Sequence, residues 1–369
     1  MTRLSPTISE VLYRLNVQAP IELDLLTSGF IEVLEHPSEQ VRDVLLGAFL
    51  TGIMVRGPTA DEVVALLKAA FQLDNFSPSN AINVELPKDK ALISIVGSGK
   101  KGVKTMNIST PSALVAASLD VYVGKPGSSS TSSVTGSANF MREVGANIDL
   151  PLNDMVAILA KTKFGFFVIE NLIPRFDKIY GGKLYIPHVL SFGLAALVTP
   201  IRPDITLYGL AHPDVELSLK VLREFGIENA MVVSCTHDNI HFLDEMGMYG
   251  TTRLIGMRQG MIGKLLYFRP TEELGLPKYG PLDIAQGNTI EANIKYVVST
   301  LGGCGEIPRE DIVCINAANL LYLAGTAEDL KDGYLKAKEA VRKGWPLQKL
   351  EEFIEVSGGD KRALQKYLS

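Results

Sequence analysis

The sequence predicts an α/β protein in which a small N-terminal helical domain precedes a larger α/β domain. Up to about residue 74, apolar residues recur at three- and four-residue spacing, which is typical of amphipathic helices. From Ala91 onward, short runs of β-branched and aromatic residues alternate with helical segments, and this alternation is typical of an α/β domain. A chain of 369 residues is long enough for two domains, which we place at residues 1–86 and 87–369.

The helical block contains clear start signals. Ser38 follows a His-Pro turn and is a candidate N-cap for the next helix, EQVRDVLLGAFLTGIMVRG. Thr59 followed by Glu62 forms a capping-box pattern after the Gly57-Pro58 break. The segment DVLLGAFLTGIMV has more apolar surface than one helical layer can bury, so we expect part of it to contact another surface.

Six short apolar runs in the α/β region predict strands. They are ALISIVG (91–97), SLDVYVG (118–124), ITLYGLA (205–211), AMVVSC (230–235), TRLIGM (252–257) and KLLYF (264–268). Residues 152–176 and 188–200 read as helical, and the tail from Ala327 to Ser369 reads as a pair of charged amphipathic helices.

Two loops rich in glycine and hydroxyl residues follow the first two predicted strands. The first contains Gly97, Gly99 and Gly102, and the second contains Gly127 and Gly136. Glycines let a backbone approach an anion closely, and helix N-termini present unpaired N–H groups to it. Such loops are sometimes flexible linkers, but ordered apolar elements flank both of these tightly. The pattern therefore predicts a site for a phosphate-rich ligand.

Four short motifs lie in and around these loops. They read GSGKKG (97–102), TMNIST (105–110), KPGSS (125–129) and TGSAN (135–139). In order and spacing they resemble the GTGGDG, TxNIST, KHGN and SGSAD motifs of the anthranilate phosphoribosyltransferase family, which shares its fold with the pyrimidine nucleoside phosphorylases. The resemblance extends over most of the chain.

The resemblance implies a fold, a donor and an assembly. The fold would have a mainly parallel central sheet, and helices from about 151–200 would complete the N-terminal domain. The donor would be phosphoribosyl pyrophosphate, and the N-terminal helices would form a homodimer. The donor-binding residues at the motif positions would be Gly97, Ser98, Gly99, Lys101, Thr105, Asn107, Ser109, Thr110, Lys125, Gly127, Ser128, Ser133 and Ser137.

The resemblance also implies a Mg²⁺ site at Asp244 and Glu245. An adjacent acidic pair is usually solvated, but this pair occupies the place of the family's acidic pair, after the predicted strand that ends near Cys235. Mg²⁺ prefers carboxylate oxygens and keeps several of its waters. The nearby HDNIH segment, with His237 and His241, has metal-ligand spacing if helical, but we favour a loop there.

Several positions depart from the family pattern. Lys101 stands where the family has an aspartate that sits near the metal, and Pro126 stands where it has a histidine that faces the acceptor. Gly182 and His188 fall where the family has two arginines, so Pro126, Gly182 and His188 are the candidate acceptor-binding positions. The acceptor is then not anthranilate, unless another basic residue holds its carboxylate. The candidates for that role are Arg175, Lys178 and Lys183.

The resulting hypothesis is a phosphoribosyltransferase whose acceptor is an aromatic amine or a nitrogen heterocycle. Two alternatives remain open: a non-catalytic family member that binds a nucleotide or nucleic acid, and a phosphorolytic enzyme. The net charge of −5 and the pI of about 5.7 disfavour a nucleic-acid partner.

The sequence also predicts a cytoplasmic protein. The longest apolar stretch, around residues 189–198, is shorter than the roughly 20 residues of a membrane helix. The N-terminus has no apolar signal-peptide core. The three cysteines are widely spaced and form no CxxC motif, which is typical of reduced thiols.

Overall fold

The computed structural model describes residues 4–129, 134–181 and 183–368. Its strands are Leu92–Gly97 (β1), Tyr122–Gly127 (β2), Phe164–Val168 (β3), Ile205–Gly209 (β4), Ala230–Thr236 (β5), Phe242–Leu243 (β6), Thr251–Arg258 (β7), Met261–Ile262 (β8) and Leu266–Phe268 (β9). Its helices are Pro6–Asn16 (α1), Leu23–Leu34 (α2), Glu39–Arg56 (α3), Ala60–Gln72 (α4), Ser109–Ser118 (α5), Ser137–Glu143 (α6), Leu152–Thr162 (α7), Pro174–Tyr180 (α8), Leu194–Leu197 (α9), Val215–Glu224 (α10), Pro270–Glu273 (α11), Ile290–Leu301 (α12), Ile307–Leu323 (α13), Leu330–Arg342 (α14), Trp345–Val356 (α15) and Lys361–Gln365 (α16).

The sheet has the strand order β3-β2-β1-β4-β5-β7-β8. The first five strands in this order are parallel to one another. Strand β7 then pairs antiparallel with β5, and β6, β8 and β9 add short antiparallel pairings. The prediction of an α/β fold with a mainly parallel central sheet is confirmed, and the antiparallel strands lie at one edge.

The predicted N-terminal caps are present. The Ser38 hydroxyl accepts a hydrogen bond from the Val41 amide at 3.4 Å. Thr59 and Glu62 form a complete capping box, with the Glu62 amide 3.3 Å from the Thr59 hydroxyl and the Thr59 amide 2.9 Å from the Glu62 carboxylate. These bonds satisfy amide groups that a helix start leaves without partners.

The prediction of helix throughout residues 152–176 is wrong at β3. Helix α7 ends at Thr162, the next residue Lys163 has a left-handed φ of 65°, and the chain continues as the fully buried strand Phe164–Val168. This parallel strand lies at one end of the sheet order but is buried on both faces, so it reads as a continuous apolar run that periodicity cannot separate from a buried helix. Residues 188–200 contain only a 3₁₀ turn at Val189–Phe192 and the single-turn α9, and the described part of the tail contains three helices rather than two.

Two hydrophobic cores cover the two faces of the sheet. Neighbouring strand residues alternate between them, as Leu207 and Tyr208 do on β4, because successive side chains point to opposite faces. Helices α1 to α4 pack on one face together with α8, α9 and α10, whereas α5, α7 and α12 to α15 pack on the other. Of the helices between 151 and 200, α7 therefore packs with the α/β region, and the domain boundary at residue 86 stays a prediction.

Across the described ranges, no helix is both long enough and apolar enough to cross a membrane.

Candidate active site

A cleft lies where the first two parallel strands end. It is bordered by the loops after β1 and β2, by the start of α5, by the acidic pair after β6, and by α8. In parallel α/β sheets, ligands bind outside the carboxyl ends of the strands, where the chain connections diverge. Both glycine-rich loops predicted from the sequence thus meet at the place where this fold class binds ligands.

Two glycines at adjacent strand ends let Asp244 approach the sheet. Gly97 of β1 pairs with Gly209 of β4. A Cβ atom on Gly97 would lie 2.4 Å from Asp244 Oδ2, and one on Gly209 would lie 1.6 Å from the Asp244 carbonyl oxygen. Asp244 Oδ2 accepts a hydrogen bond from the Gly99 amide at 2.8 Å, so the carboxylate is fixed to the first loop.

Asn316 on α13 fixes the other side of the acidic pair. Its side chain accepts a hydrogen bond from the Met246 amide at 3.0 Å and donates one to the Met246 carbonyl at 2.9 Å. Asp244 and Glu245 are only 4% and 6% exposed. By binding this backbone, Asn316 positions the segment that carries both carboxylates.

Lys101 faces both carboxylates. Its Nζ lies 3.6 Å from Asp244 Oδ1 and 3.4 Å from each carboxylate oxygen of Glu245. Burial and the adjacent Asp244 raise the pKa of Glu245. Burial is the largest influence on Asp244 and acts the same way, but Lys101 and the hydrogen bonds from Glu245 and the Gly99 amide together outweigh it and lower the pKa of that carboxyl group.

The acidic pair has an oxygen atom that suits a cation. Asp244 Oδ1 has no hydrogen-bond partner among the described residues, as expected of an atom that faces a cation. Lys101 already takes the cation's position, however, with its Nζ 3.6 Å from this oxygen. With Lys101 in this place, the pair fits an ammonium group and not a divalent ion.

Two further lysines approach the same pair. Lys125 is buried in β2 and donates a hydrogen bond to the Pro126 carbonyl oxygen. Burial lowers the pKa of Lys125 to about 8, although Glu245 and Asp244 oppose this shift. Lys104 Nζ is buried without a hydrogen-bond partner in the described ranges. Sequence reasoning missed Lys104, although the basic run KKGVK was a signal for it.

The start of α5 also presents unused polar atoms. Asn107 Oδ1 accepts a hydrogen bond from the Thr110 amide at 3.3 Å. Asn107 Nδ2 and Thr110 Oγ1 are both buried, and neither has a hydrogen-bond partner in the part of the chain that the structure describes. Buried polar groups in native proteins nearly always have partners, and Asn107 borders the cleft, so its Nδ2 atom indicates a ligand position.

The second loop is packed against β3 and its following turn. A Cβ on Gly127 would lie 2.3 Å from the Phe166 ring and 2.4 Å from Ser137 Oγ, so only glycine allows this approach. Glu170, after β3, accepts a hydrogen bond from the Ser129 amide at 2.6 Å. These contacts fix the backbone on both sides of Ser128, at Gly127 and at Ser129.

Most of the predicted donor-binding residues line the cleft, whereas Thr110 is on the first turn of α5 and does not line it. Ser133 lies outside the described residues. The residues that line it are Gly97, Ser98, Gly99, Lys101, Thr105, Asn107, Ser109, Lys125, Gly127, Ser128 and Ser137.

The predicted acceptor positions are distributed differently. Pro126 lines the cleft, and Gly182 lies outside the described residues. His188 is buried behind the cleft, where its Nδ1 accepts a hydrogen bond from the Leu190 amide at 3.3 Å. Its Nε2 is 2.8 Å from the Tyr180 hydroxyl, so the structure places His188 behind Tyr180 and not against a ligand.

Lys100 and Tyr180 are the residues that sequence reasoning missed at this end. Lys100 Nζ donates to the Tyr180 hydroxyl at 2.9 Å and lies 4.4 Å from the centre of its ring. Burial lowers the pKa of Lys100 to about 8. We call Lys100, Tyr180 and His188 the acceptor-end network, and no sequence motif signals it.

The basic residues considered as replacements for the missing arginines lie elsewhere. Arg175 donates to the Leu73 carbonyl oxygen, and Lys183 pairs with Glu39 and Asp43 at 2.9 Å. Lys178 is exposed on α8. None of these three borders the cleft as described.

The HDNIH segment forms a loop after β5, as predicted. His241 Nδ1 lies 2.6 Å from Asp238 Oδ2, and the Asp238 carboxylate also accepts the Ile240 and His241 amides. The bonds from His241 hold the pKa of Asp238 well below its usual range. These polar groups are satisfied within the loop itself.

Comparison with known proteins identifies the family of this chain. Residues 89–346 match the family model described as "Glycosyl transferase family, a/b domain". The chain is 31% identical over 326 residues to the anthranilate phosphoribosyltransferase of Methanococcoides burtonii, covering 88% of both chains. It is 30% identical over 338 residues to that of Acetivibrio thermocellus, covering 90% of this chain and 93% of the relative.

Solved structures of anthranilate phosphoribosyltransferases have the same fold as this chain. The anthranilate phosphoribosyltransferase of Thermus thermophilus superposes with a TM-score of 0.73 at 22% identity, covering 94% of this chain and 99% of that one. The Saccharomyces cerevisiae enzyme in complex with PRPP and Mg superposes with a TM-score of 0.75 at 20% identity, covering 96% and 99%. The family model, which covers more than half of the chain, and the sequence identities together show that this chain belongs to the anthranilate phosphoribosyltransferase family of glycosyltransferases.

Proposed function

We propose that the protein transfers a phosphoribosyl group from phosphoribosyl pyrophosphate (PRPP) to an aromatic amine or a nitrogen heterocycle and releases pyrophosphate. The observation that carries this proposal is the convergence of both glycine-rich loops, the start of α5 and four lysines on one cleft. Backbone N–H groups and lysines suit phosphate groups. The relatives described above are named as anthranilate phosphoribosyltransferases, and a transfer of this class is the activity that such a name states.

The chemistry needs charge stabilisation more than a nucleophilic side chain. As the acceptor nitrogen bonds to the anomeric carbon, the carbon–oxygen bond to pyrophosphate breaks and negative charge builds on the leaving group. Lys101, Lys125 and the amides at the start of α5 border the cleft where that charge would lie. Preorganised donors of this kind lower the barrier because they need no rearrangement during the reaction.

The proposed acceptor lacks an ortho carboxylate. Arginine is the usual partner for bidentate binding of a carboxylate, and Arg175 is bound to the Leu73 carbonyl oxygen away from the cleft. Pro126 offers no donor where the family has a histidine, which further favours a less polar acceptor.

Mg²⁺ is not part of this proposal. The family resemblance implies an ion held by Asp244 and Glu245, but Lys101 would have to leave both carboxylates to admit it, since its Nζ lies 3.4 Å from Glu245. A structural relative, the yeast enzyme in complex with PRPP and Mg, supports testing this ion first.

The function can be tested by pyrophosphate release from PRPP across a panel of aromatic amines and nitrogen heterocycles. Release that depends on both substrates would support the transferase. Consumption of inorganic phosphate with a nucleoside would instead support a phosphorolytic enzyme. Binding of PRPP without turnover of any acceptor would support the non-catalytic alternative.

We also propose a homodimer through the helices before Asp74, and a cytoplasmic location. Helix α3 exposes Val41, Val44 and Val55 to 42%, 73% and 74%, and their spacing places them along one stripe of the helix. A second copy of the chain would cover this stripe. Light scattering should give about twice the monomer mass of 40.1 kDa, and a mass near the monomer value would contradict the dimer.

A further inference from the structure

Lys101 is already placed as a cation between two buried carboxylates. Its Nζ lies 3.6 Å from Asp244 and 3.4 Å from Glu245, and only 15% of its side chain is exposed. The remaining Asp244 oxygen is bound to the Gly99 amide at 2.8 Å. The pair is thus held in place by the backbone on one side and by an ammonium group on the other.

The charges around this pair are balanced by the chain itself. Asp244 and Glu245 bring two negative charges when ionised, while Lys101 and the buried Lys125 bring two positive ones. Lys104 is close enough to Asp244 to interact with it electrostatically. A divalent ion that bridged both carboxylates would have to displace Lys101 and leave its ammonium buried without a counter-charge, which is unfavourable.

We infer that Lys101 serves as a built-in cation in place of a divalent ion, so that this chain binds the pyrophosphate group of its donor without Mg²⁺. The inference rests on the proposed function, because it concerns the donor of that reaction. An ammonium group has three N–H donors. Two can face the carboxylates, and the third is free for a phosphate oxygen.

The neighbours of Lys101 support an anion at this position. Lys104 Nζ and Asn107 Nδ2 both lack hydrogen-bond partners within the described ranges, and both residues border the cleft. Lys125 borders it from the adjacent strand. A pyrophosphate placed here would give partners to these donors, and it would add the negative charge that lets all three lysines stay protonated.

The test is calorimetric titration of the full-length protein with pyrophosphate and with PRPP, in excess EDTA and in excess MgCl₂. We expect wild-type affinities in the two buffers to agree within about threefold. The variant Lys101→Asp gives the site a third carboxylate, so it should lose at least about tenfold of its affinity in EDTA and recover it with Mg²⁺. Lys178→Asp, at an exposed lysine on α8, is the matched charge control and should behave like wild type.

A second readout does not depend on the donor. Mn²⁺ bound to protein can be measured by electron paramagnetic resonance, and we expect binding by Lys101→Asp but none by wild type. Thermal unfolding shows whether each variant is folded. Lys101→Gln replaces Lys101→Asp if that variant fails to fold, and it should weaken donor binding in both buffers.

The outcomes separate this inference from the proposed function. If the wild-type affinity is more than about tenfold higher in MgCl₂ than in EDTA, the inference is overturned and the transferase proposal stands. Tight Mn²⁺ binding by the wild type would overturn it as well. If neither PRPP nor pyrophosphate binds in either buffer, both proposals are wrong.

Discussion

The two ends of the cleft use their polar groups in opposite ways. At the donor end, Asn107 Nδ2, Thr110 Oγ1 and Lys104 Nζ have no partners in the described part of the protein. At the acceptor end, Lys100 and His188 both bind the Tyr180 hydroxyl. Unsatisfied buried groups are costly unless a ligand satisfies them. The donor end is therefore built for a polar ligand, whereas the acceptor end offers a new ligand few free partners.

The largest expected effect is at the donor end, from Gly97→Ala. The new Cβ would lie 2.4 Å from Asp244 Oδ2, so Asp244 must move and release the Gly99 amide. We expect PRPP affinity to fall by about 100-fold or more, because misplacement of site groups has effects of this size. Titration calorimetry measures this.

Gly47→Ala is the control for that variant, because nothing lies within 4 Å of a Cβ at Gly47 on α3. It should leave affinity unchanged and raise stability slightly. Equal affinity in Gly97→Ala and wild type would show that the donor does not use the first loop, and the contrast between the two ends would then fail.

The acceptor end is tested by comparing anthranilate with aniline, which lacks the ortho carboxylate. A charge-assisted contact contributes about 1.5–3 kcal/mol, so its absence should lower the use of anthranilate roughly 10- to 150-fold relative to a family enzyme that has it. We expect weak or undetectable transfer to anthranilate and better activity with acceptors that lack the ortho carboxylate. Steady-state kinetics that show an ordinary turnover number and a micromolar Michaelis constant for anthranilate would mean that another basic group holds the carboxylate.

A smaller effect at the donor end is expected from Thr110→Val. This change removes only a hydroxyl that has no partner in the described protein. Stability should therefore stay equal or rise, while PRPP affinity falls about tenfold if that hydroxyl binds the donor.

Thr162→Val is the matched comparison. The Thr162 hydroxyl donates to the carbonyl groups of Ile158 and Phe164 at 2.9 and 2.8 Å, so its loss should reduce stability and spare donor binding. Chemical denaturation measures the stability of both variants, and calorimetry measures their affinity for PRPP, so the two opposite effects can be compared directly. Loss of stability without loss of affinity in Thr110→Val would remove Thr110 from the donor site.

The smallest expected effect is a pH dependence at the acceptor end. Burial lowers the pKa of Lys100 to about 8 from 10.5, while Asp177 opposes the shift and Lys104 adds to it. The unfolded chain therefore binds more protons between these values, and folding becomes more favourable as the pH rises. From pH 7 to 9 the wild type should gain about 1 kcal/mol of unfolding free energy over Lys100→Met. Urea denaturation of both proteins at the two pH values measures it, and parallel curves would show that Lys100 titrates normally.

The sequence predicts the donor end better than the acceptor end, and the reason is physical. Close approach to Asp244 requires glycine at Gly97, and close approach to Phe166 and Ser137 requires it at Gly127, so both positions are visible in the sequence. Adjacent strands bring the two loops together once a parallel sheet is predicted. The segment that became β3 could not be recognised, since a strand buried on both faces shows no alternation.

The acceptor-end network depends on contacts between residues far apart in sequence. Lys100 and Tyr180 are separated by 80 positions, and only the folded chain shows that they touch. His188 occupies an aligned arginine position but points behind Tyr180, because alignment gives a position and not a direction. The nearby Lys183 is bound to Glu39 and Asp43, which sequence spacing gave no reason to expect.

The backbone of Lys100 has a consequence for protein engineering. Its φ of 57° lies in the left-handed region, which costs a residue with a side chain roughly 1–2 kcal/mol, and burial of its amine adds to that cost. Lys100→Gly would relieve both. Selection of variants for thermal resistance alone should therefore favour replacement of Lys100 at an early stage. The stabilised variants would then lose any contribution of Lys100 to acceptor binding.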